Sequence, residues 1–206
     1  MPERQRHWDQ VYREKGPTQV SWHQDRPDAS LALIAEAGIE PDVPLIDVGG
    51  GASRVVDSLL DRGYRDVTVL DISTEALDLA RARLGDLAGM VSWIHGDITE
   101  FVPSRRYALW HDRAVFHFLT EAEDRRRYRE AMMRGLASNG HVIIATFGLN
   151  GPEKCSGLPV VRYDADKLTA ELGGELELVE TRDEPHRTPS GATQAFTCFR
   201  LRRRAG

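Results

Sequence analysis

Leu45–Ser53 reads LIDVGGGAS, and this stretch decides the fold. A short apolar run ends in an acid, Asp47, and opens directly into Gly49, Gly50 and Gly51. A helix-like segment follows. Glycine alone tolerates the positive φ angles of such a turn, and it lets a ligand approach the backbone closely just past a strand end. The stretch therefore predicts a nucleotide-cofactor site at the end of a first strand.

Outward from it, apolar runs alternate with helical patterns. Strands are predicted at Leu45–Val48, Val67–Leu70, Val91–His95, Tyr107–His111 and His141–Phe147, and helices at Ser53–Asp61, Ser73–Leu84 and Thr120–Leu136. Ser73 reads as an N-cap before Ala76, Leu77, Ala80 and Leu84 at helical spacing. Thr120 reads as the cap of the next helix, with Gly140 past its end. Short strands alternating with helices imply right-handed crossovers and a mostly parallel sheet with helices on both faces, an α/β fold. After Gly148, GLNGPEKCSGLPVVRY predicts a long loop, followed by a helix at Asp164–Leu172. Strands at Glu175–Thr181 and Gln194–Leu201, joined by the loop DEPHRTPSGA, predict an antiparallel pair closing the sheet. One domain is expected over 1–206: an N-terminal helical extension and lid (1–40), a cofactor-binding core (44–147), and a substrate-side loop with closing strands (148–206).

Composition fits one globular unit, with 206 residues, 41% hydrophobic and 29% charged. The net charge of -5 argues against a nucleic-acid partner, and the basic RLRRRAG end is short. Two distant cysteines, Cys155 and Cys198, without a CxxC, argue against a disulfide framework and against a metal site. The charged N-terminus lacks the apolar stretch of a signal peptide, and no run is long enough to span a bilayer. A cytoplasmic protein without membrane contact is expected. The sequence carries no signal for oligomeric state.

The acids choose among nucleotides. A dinucleotide fingerprint requires a third glycine where Arg54 stands, and the phosphate-binding pattern GxxxxGK[ST] is absent. Asp47 would repel a pyrophosphate and suits a cationic ligand. Asp71 ends VTVLD, where an acid accepts ribose hydroxyls. Asp97, in HGDIT, is placed to accept from an adenine amino group, with Ile72 and Ile98 sandwiching the base. Adenosine carrying a cationic group and no phosphate describes S-adenosyl-L-methionine, with S-adenosyl-L-homocysteine as product. LIDVGGGAS, VLDIS and HGDIT resemble, in order and spacing, the three cofactor motifs of class I S-adenosylmethionine-dependent methyltransferases. Ser53 replaces the last glycine of the family's common motif. The resemblance covers roughly Pro44 to Phe147 and implies a Rossmann-like seven-stranded sheet. Cofactor contacts are expected from Asp47, Gly49, Gly50, Gly51, Asp71, Ile72, Asp97 and Ile98.

The fourth strand runs into YALWHDRAVFHFL, which places His111, Asp112 and Arg113 near the transferring methyl group. HDRAVFHF and the N-terminal WDQVYREKGPTQVSWHQDRP resemble segments of thiopurine methyltransferases. That resemblance implies that Trp8, Trp22 and Gln24 cap or line the site, with Trp22 and His111 on the cofactor side. Trp8, Gln24, Arg113 and Phe116 are expected on the substrate side, although Phe116 also reads as core and Asp112–Arg113 as a structural ion pair. Asp112 and His117 are the candidate bases for an acceptor that must lose a proton. The expected reaction is methyl transfer to a small-molecule acceptor, a thiol or other soft nucleophile. Asp112, Arg113 and Phe116 also partly match the DKGTWD-like segment of some lysine methyltransferases, so a protein acceptor is the alternative. A catalytically silent cofactor-binding module is a third reading, disfavoured because all three motifs carry their acids.

Overall fold

The computed structural model describes residues 2–205. The elements in chain order are α1 (Glu3–Lys15), α2 (Asp28–Glu36), β1 (Leu45–Val48), α3 (Val55–Asp61), β2 (Val67–Asp71), α4 (Thr74–Leu84), β3 (Val91–His95), β4 (Tyr107–Arg113), α5 (Ala122–Gly135), β5 (Leu136–Phe147), β6 (Lys154–Cys155), β7 (Leu158–Pro159), α6 (Ala165–Leu172), β8 (Leu176–Arg187) and β9 (Thr193–Arg203). Seven strands form one sheet in the order β3-β2-β1-β4-β5-β9-β8. The first five pair in parallel, and β9 runs antiparallel to both β5 and β8. This is the Rossmann-like α/β sheet that the sequence predicts, with one antiparallel C-terminal strand.

Strand chemistry follows position. β1 and β2 lie inside the sheet, and all their residues are buried, including Asp47 and Asp71. Side chains alternate between faces. Ile46 and Val48 join Trp110, Tyr128, Met132, Leu168 and Phe199 on the face covered by α5 and α6. Leu45, Val67 and Ile143 pack on the other face against Leu33 and Ile34 of α2, Val55, Val56 and Leu59 of α3, and Leu77 of α4. Burying each such side chain is worth about 1.5–3 kcal/mol before chain entropy is set against it. No helix among the described residues is long and apolar enough to cross a membrane.

Ser73 does cap α4, its Oγ accepting from Ala76 N at 3.1 Å. Three other expectations are corrected. The α5 N-cap is Glu121 rather than Thr120, and its side chain makes no capping bond. Gly140 does not end that helix: the chain passes directly from Gly135 into β5. Gly135 packs so closely that a Cβ there would lie 2.9 Å from Pro103 and 3.0 Å from Trp110. The predicted loop 183–192 is mostly strand: β8 continues to Arg187, and only Thr188–Ala192 turns, with Thr188 N donating to Ala192 O at 2.8 Å. Pro185 hid this, because proline breaks an interior strand but is tolerated on an edge strand such as β8. The loop after Gly148 contains the small hairpin β6–β7.

Candidate active site

The carboxyl ends of β1, β2, β3 and β4 converge on one cleft, the side on which open parallel sheets bind ligands. The glycine loop forms its floor and is drawn tight against three side chains. Gly49 has φ 67°, and a Cβ there would lie 2.0 Å from Val115 Cγ2. At Gly50 a Cβ would stand 2.4 Å from Asp47 Oδ2, and at Gly51 2.4 Å from Asp71 Oδ2. Any larger residue here would displace a carboxylate or the wall opposite.

The main chamber holds about 840 Å3 of space, counted out through its open mouth. Asp71 and Ile72 from the end of β2, and Asp97 and Ile98 after β3, form one wall. Asp71 is nearly buried, and its Oδ1 accepts from Ser73 N at 2.8 Å. Burial pushes its carboxyl up to about 7, against the pull of backbone donors at Ser73 and Gly51, with the charge of Asp47 adding to the rise. Asp97 Oδ1 accepts from Thr99 N (2.9 Å) and Thr99 Oγ1 (2.8 Å). Its Oδ2 accepts from Arg4 at 3.0 Å, and Arg4 also binds Asp124.

Aromatic rings form the roof. Trp8 meets Trp22 edge-on at 5.6 Å and Phe118 at 4.8 Å between centroids, and Tyr12 meets Trp22 at 6.1 Å. Leu119 and Leu158 complete the apolar side. Burial, followed by the Asp71 charge, raises the Tyr12 phenol above its ordinary range, so it stays protonated.

A second chamber of about 480 Å3 adjoins the first and shares Tyr12, Trp22, Gly49 and Arg113 with it. Asp47, Gly50, Arg54, His111 and Gln24 also line it. Asp47 Oδ1 accepts from His111 Nδ1 at 2.6 Å, while Asp47 Oδ2 is buried without a partner. Arg113 donates to Trp22 O at 3.0 Å, lies 4.3 Å over the Phe196 ring, and has Glu184 at 3.6 Å. Gln24 donates to the other oxygen of Glu184.

Twelve of the sequence-selected residues stand on these two chambers: Asp47, Gly49, Gly50, Asp71, Ile72, Asp97, Ile98, His111, Trp22, Trp8, Gln24 and Arg113; Val115 takes the cleft-side place expected of Phe116. Gly51 packs beneath Asp71 instead. Asp112, Phe116 and His117 line neither chamber. Asp112 is fully buried: it accepts from Val115 N (2.9 Å), Phe116 N (3.2 Å) and Tyr128 OH (2.7 Å). Burial raises its carboxyl to about 6, although Tyr128 and the two backbone donors pull it down. His117 is enclosed by Phe118, Phe147 and Phe196, and its Nδ1 accepts from Phe147 N at 3.2 Å. Burial and then the Arg113 charge lower it to about 3, so the ring is neutral. The cause of this division is Ala114 at φ 71°: the chain inverts there, sending Arg113 and Val115 to the cleft and Asp112, Phe116 and His117 to the core. The expected Asp112–Arg113 ion pair does not form, because Arg113 faces Glu184.

Arg4 and Tyr12 were not singled out in the sequence. With Trp8 they fall at i, i+4, i+8 on α1, so helical periodicity around the one chosen tryptophan would have found both.

A sequence profile described as a methyltransferase domain matches residues 45–140. The eEF1A lysine and N-terminal methyltransferase of Mus musculus is 23% identical over 138 residues, covering 66% of this chain and 19% of that protein. This chain thus spans about a fifth of that relative's length. A structure from work on conversion of a disulfide bond into a thioacetal group during echinomycin biosynthesis superimposes with a TM-score of 0.79 at 20% identity, over 97% of this chain and 91% of that one. The S-adenosylmethionine-dependent methyltransferase of Anabaena variabilis ATCC 29413 gives a TM-score of 0.73 at 17% identity, over 99% and 96% of the two chains. The N-methyltransferase NodS of Bradyrhizobium japonicum WM9, in complex with S-adenosylhomocysteine, gives 0.69 at 17% identity, over 95% and 97%. The profile match marks residues 45–140 as a methyltransferase domain, and the solved S-adenosylmethionine-dependent methyltransferases share the fold along nearly the whole chain.

Proposed function

We propose that this enzyme methylates a small-molecule soft nucleophile, with a thiol as the leading acceptor class. One observation carries the reading: the cleft has an apolar aromatic roof, and once Asp47 and Asp71 are given to the cofactor no unengaged general base is left in it among the described residues. Asp112 and His117 lie in the core, Asp97 is paired with Arg4, and the Tyr12 phenol is held protonated. An amine or alcohol would need a proton acceptor in reach, whereas a thiol ionises near pH 8.5 with little help.

The residues present fit the cofactor. Asp71 would accept the ribose hydroxyls, and Ile72 and Ile98 would flank the adenine, with Asp97 toward its amino group. The unpartnered Asp47 Oδ2 would take the cofactor's ammonium group, and Arg113 would face its carboxylate. When bound, the cofactor supplies an electrophilic methyl on a sulfonium. The chain's own part is to position and to exclude water: Trp8, Trp22 and Phe118 close the roof and keep the acceptor unsolvated. Holding reactants at near-attack distance is worth up to about 7–11 kcal/mol in favourable cases.

A protein lysine acceptor is the second reading, favoured by the match to the eEF1A lysine and N-terminal methyltransferase. Incubating the purified enzyme and methyl-labelled S-adenosylmethionine with lysate, then separating by size, tests both. Label in the small-molecule fraction, lost when thiols are blocked beforehand, supports the thiol reading. Label on a protein band that survives thiol blocking overturns it in favour of lysine.

A further inference from the structure

Ser30 of α2, His111 of β4 and Asp47 of β1 form an unbroken buried chain. Each is 2% exposed or less. His111 Nε2 lies 2.8 Å from Ser30 Oγ, and its Nδ1 lies 2.6 Å from Asp47 Oδ1. Strand pairing fixes the second spacing, since Asp47 and His111 are direct neighbours in the β1–β4 register. A carboxylate accepts only, so Nδ1 carries the hydrogen shared with Asp47. Nε2, on the other side of the ring, is held by the Ser30 hydroxyl. Every polar position in this chain has its partner except Asp47 Oδ2, which is buried, unpaired and set on the wall of the second chamber. A carboxylate oxygen left this way is costly unless a donor arrives.

We infer that Ser30 and His111 are positioning residues that hold Asp47 in the rotamer that offers its free oxygen to the ammonium group at the amino-acid end of the cofactor. The inference rests on the cofactor reading above and extends it to two residues, one of them on a helix that reaches neither chamber. Ser30 acts only through His111: its hydroxyl holds Nε2 and fixes the tilt of the ring. His111 in turn fixes the Asp47 rotamer, so that Oδ2 rather than Oδ1 faces the chamber.

The test compares two ligands by calorimetry on the full chain: S-adenosylhomocysteine, and 5′-methylthioadenosine, which lacks the amino-acid end. Wild type is expected to prefer S-adenosylhomocysteine by on the order of 100-fold, the scale of a charge-assisted hydrogen bond in a buried site. Ser30→Ala and His111→Asn should each shrink that preference by roughly tenfold, the size of effect seen when a metal ligand loses its outer partner. Affinity for 5′-methylthioadenosine should stay at the wild-type value, and Ser30→Thr, which keeps the hydroxyl, should restore the preference. A general loosening of the fold would weaken both ligands together. If Ser30→Ala and His111→Asn keep the wild-type preference, or lose both ligands in parallel, the positioning role is wrong. A wild type that binds both ligands equally would instead overturn the assignment of the second chamber to the amino-acid end. A His111→Asn protein that fails to fold leaves the decision to the Ser30→Ala and Ser30→Thr pair.

Discussion

Asp9 of α1 accepts the hydroxyl hydrogen of Ser73 at 2.8 Å, and Ser73 is the residue that caps α4. The same Asp9 oxygen accepts from Glu75 N at 3.3 Å. The N-terminal helix is thereby fastened to the start of α4, directly behind Asp71. One pair of side chains thus links the aromatic roof to the cofactor wall.

Removing either partner should loosen the roof. Asp9→Ala leaves a buried hydroxyl unpaired, and a loss of about 1–3 kcal/mol is expected in denaturant melts. Ser73→Ala also removes a cap, worth about 1 kcal/mol by itself. In a double-mutant cycle the pair should couple by about 1 kcal/mol or more. Strict additivity would mean that the contact does not hold α1 in solution.

With Asp71 as the proposed ribose acceptor, cofactor binding should depend on pH. In the free protein its carboxyl is raised to about 7 by burial. Ribose hydroxyls favour the carboxylate, so binding expels a proton and affinity rises with pH until about 7. At pH 6 binding should be roughly tenfold weaker than at pH 8. Folding stability moves the other way. Because the folded value lies above the ordinary one, this group's contribution is full below about pH 4 and is lost as pH rises through 7. Calorimetry in two buffers of different ionisation enthalpy checks the proton release; Asp71→Asn should abolish it along with most of the affinity.

Gly49→Ala should be severely destabilising, by several kcal/mol, because its Cβ would overlap Val115 Cγ2 while φ stays at 67°. Adding Val115→Ala should recover the part owed to the clash and leave about 1–2 kcal/mol of backbone cost. Thermal melts of the single and double variants separate the two terms. No recovery in the double variant would show that the loop cannot accept any side chain at that position.

Tyr128→Phe should cost about 1–3 kcal/mol, since it strips a donor from the buried Asp112 carboxylate and a partner from Trp110 Nε1. Its KM values and its kcat per folded molecule should match wild type, because neither Asp112 nor Tyr128 lines the cleft. A fall in kcat with unchanged stability would return Asp112 to a chemical role.

Ala114 holds a left-handed φ of 71° where glycine is the usual occupant. Ala114→Gly should relieve roughly 1 kcal/mol of backbone strain, partly offset by the added freedom of the unfolded chain. Urea titration should show a midpoint equal to or above that of wild type. A clear drop would mean that the alanine methyl packs better than its backbone suffers.

The parallel core was legible because its strands are short apolar runs closed by acids. Asp47, Asp71 and Asp97 announced three strand ends, and all three stand on one cleft. The misreadings have local causes. HDRAVFHF looks like a continuous strand end, and nothing in an alanine signals a left-handed turn, so the side chains beyond Ala114 were assigned to the wrong face. Ser30 is an unremarkable serine among alanines and leucines, and only the packing of α2 brings it to His111. The i+4 neighbours of Trp8 were within reach of periodicity alone.

Pro185 has a consequence beyond the shape of β8. That strand runs for twelve residues along the outer rim of the sheet, with a row of backbone groups facing no protein partner. Such rims recruit further strands and seed aggregation. A missing N–H at Pro185, with Glu177, Arg182 and Arg187 spaced along the same strand, makes the rim a poor template for another chain. The proline that disguised the strand in the sequence guards the sheet against growing past its seventh member.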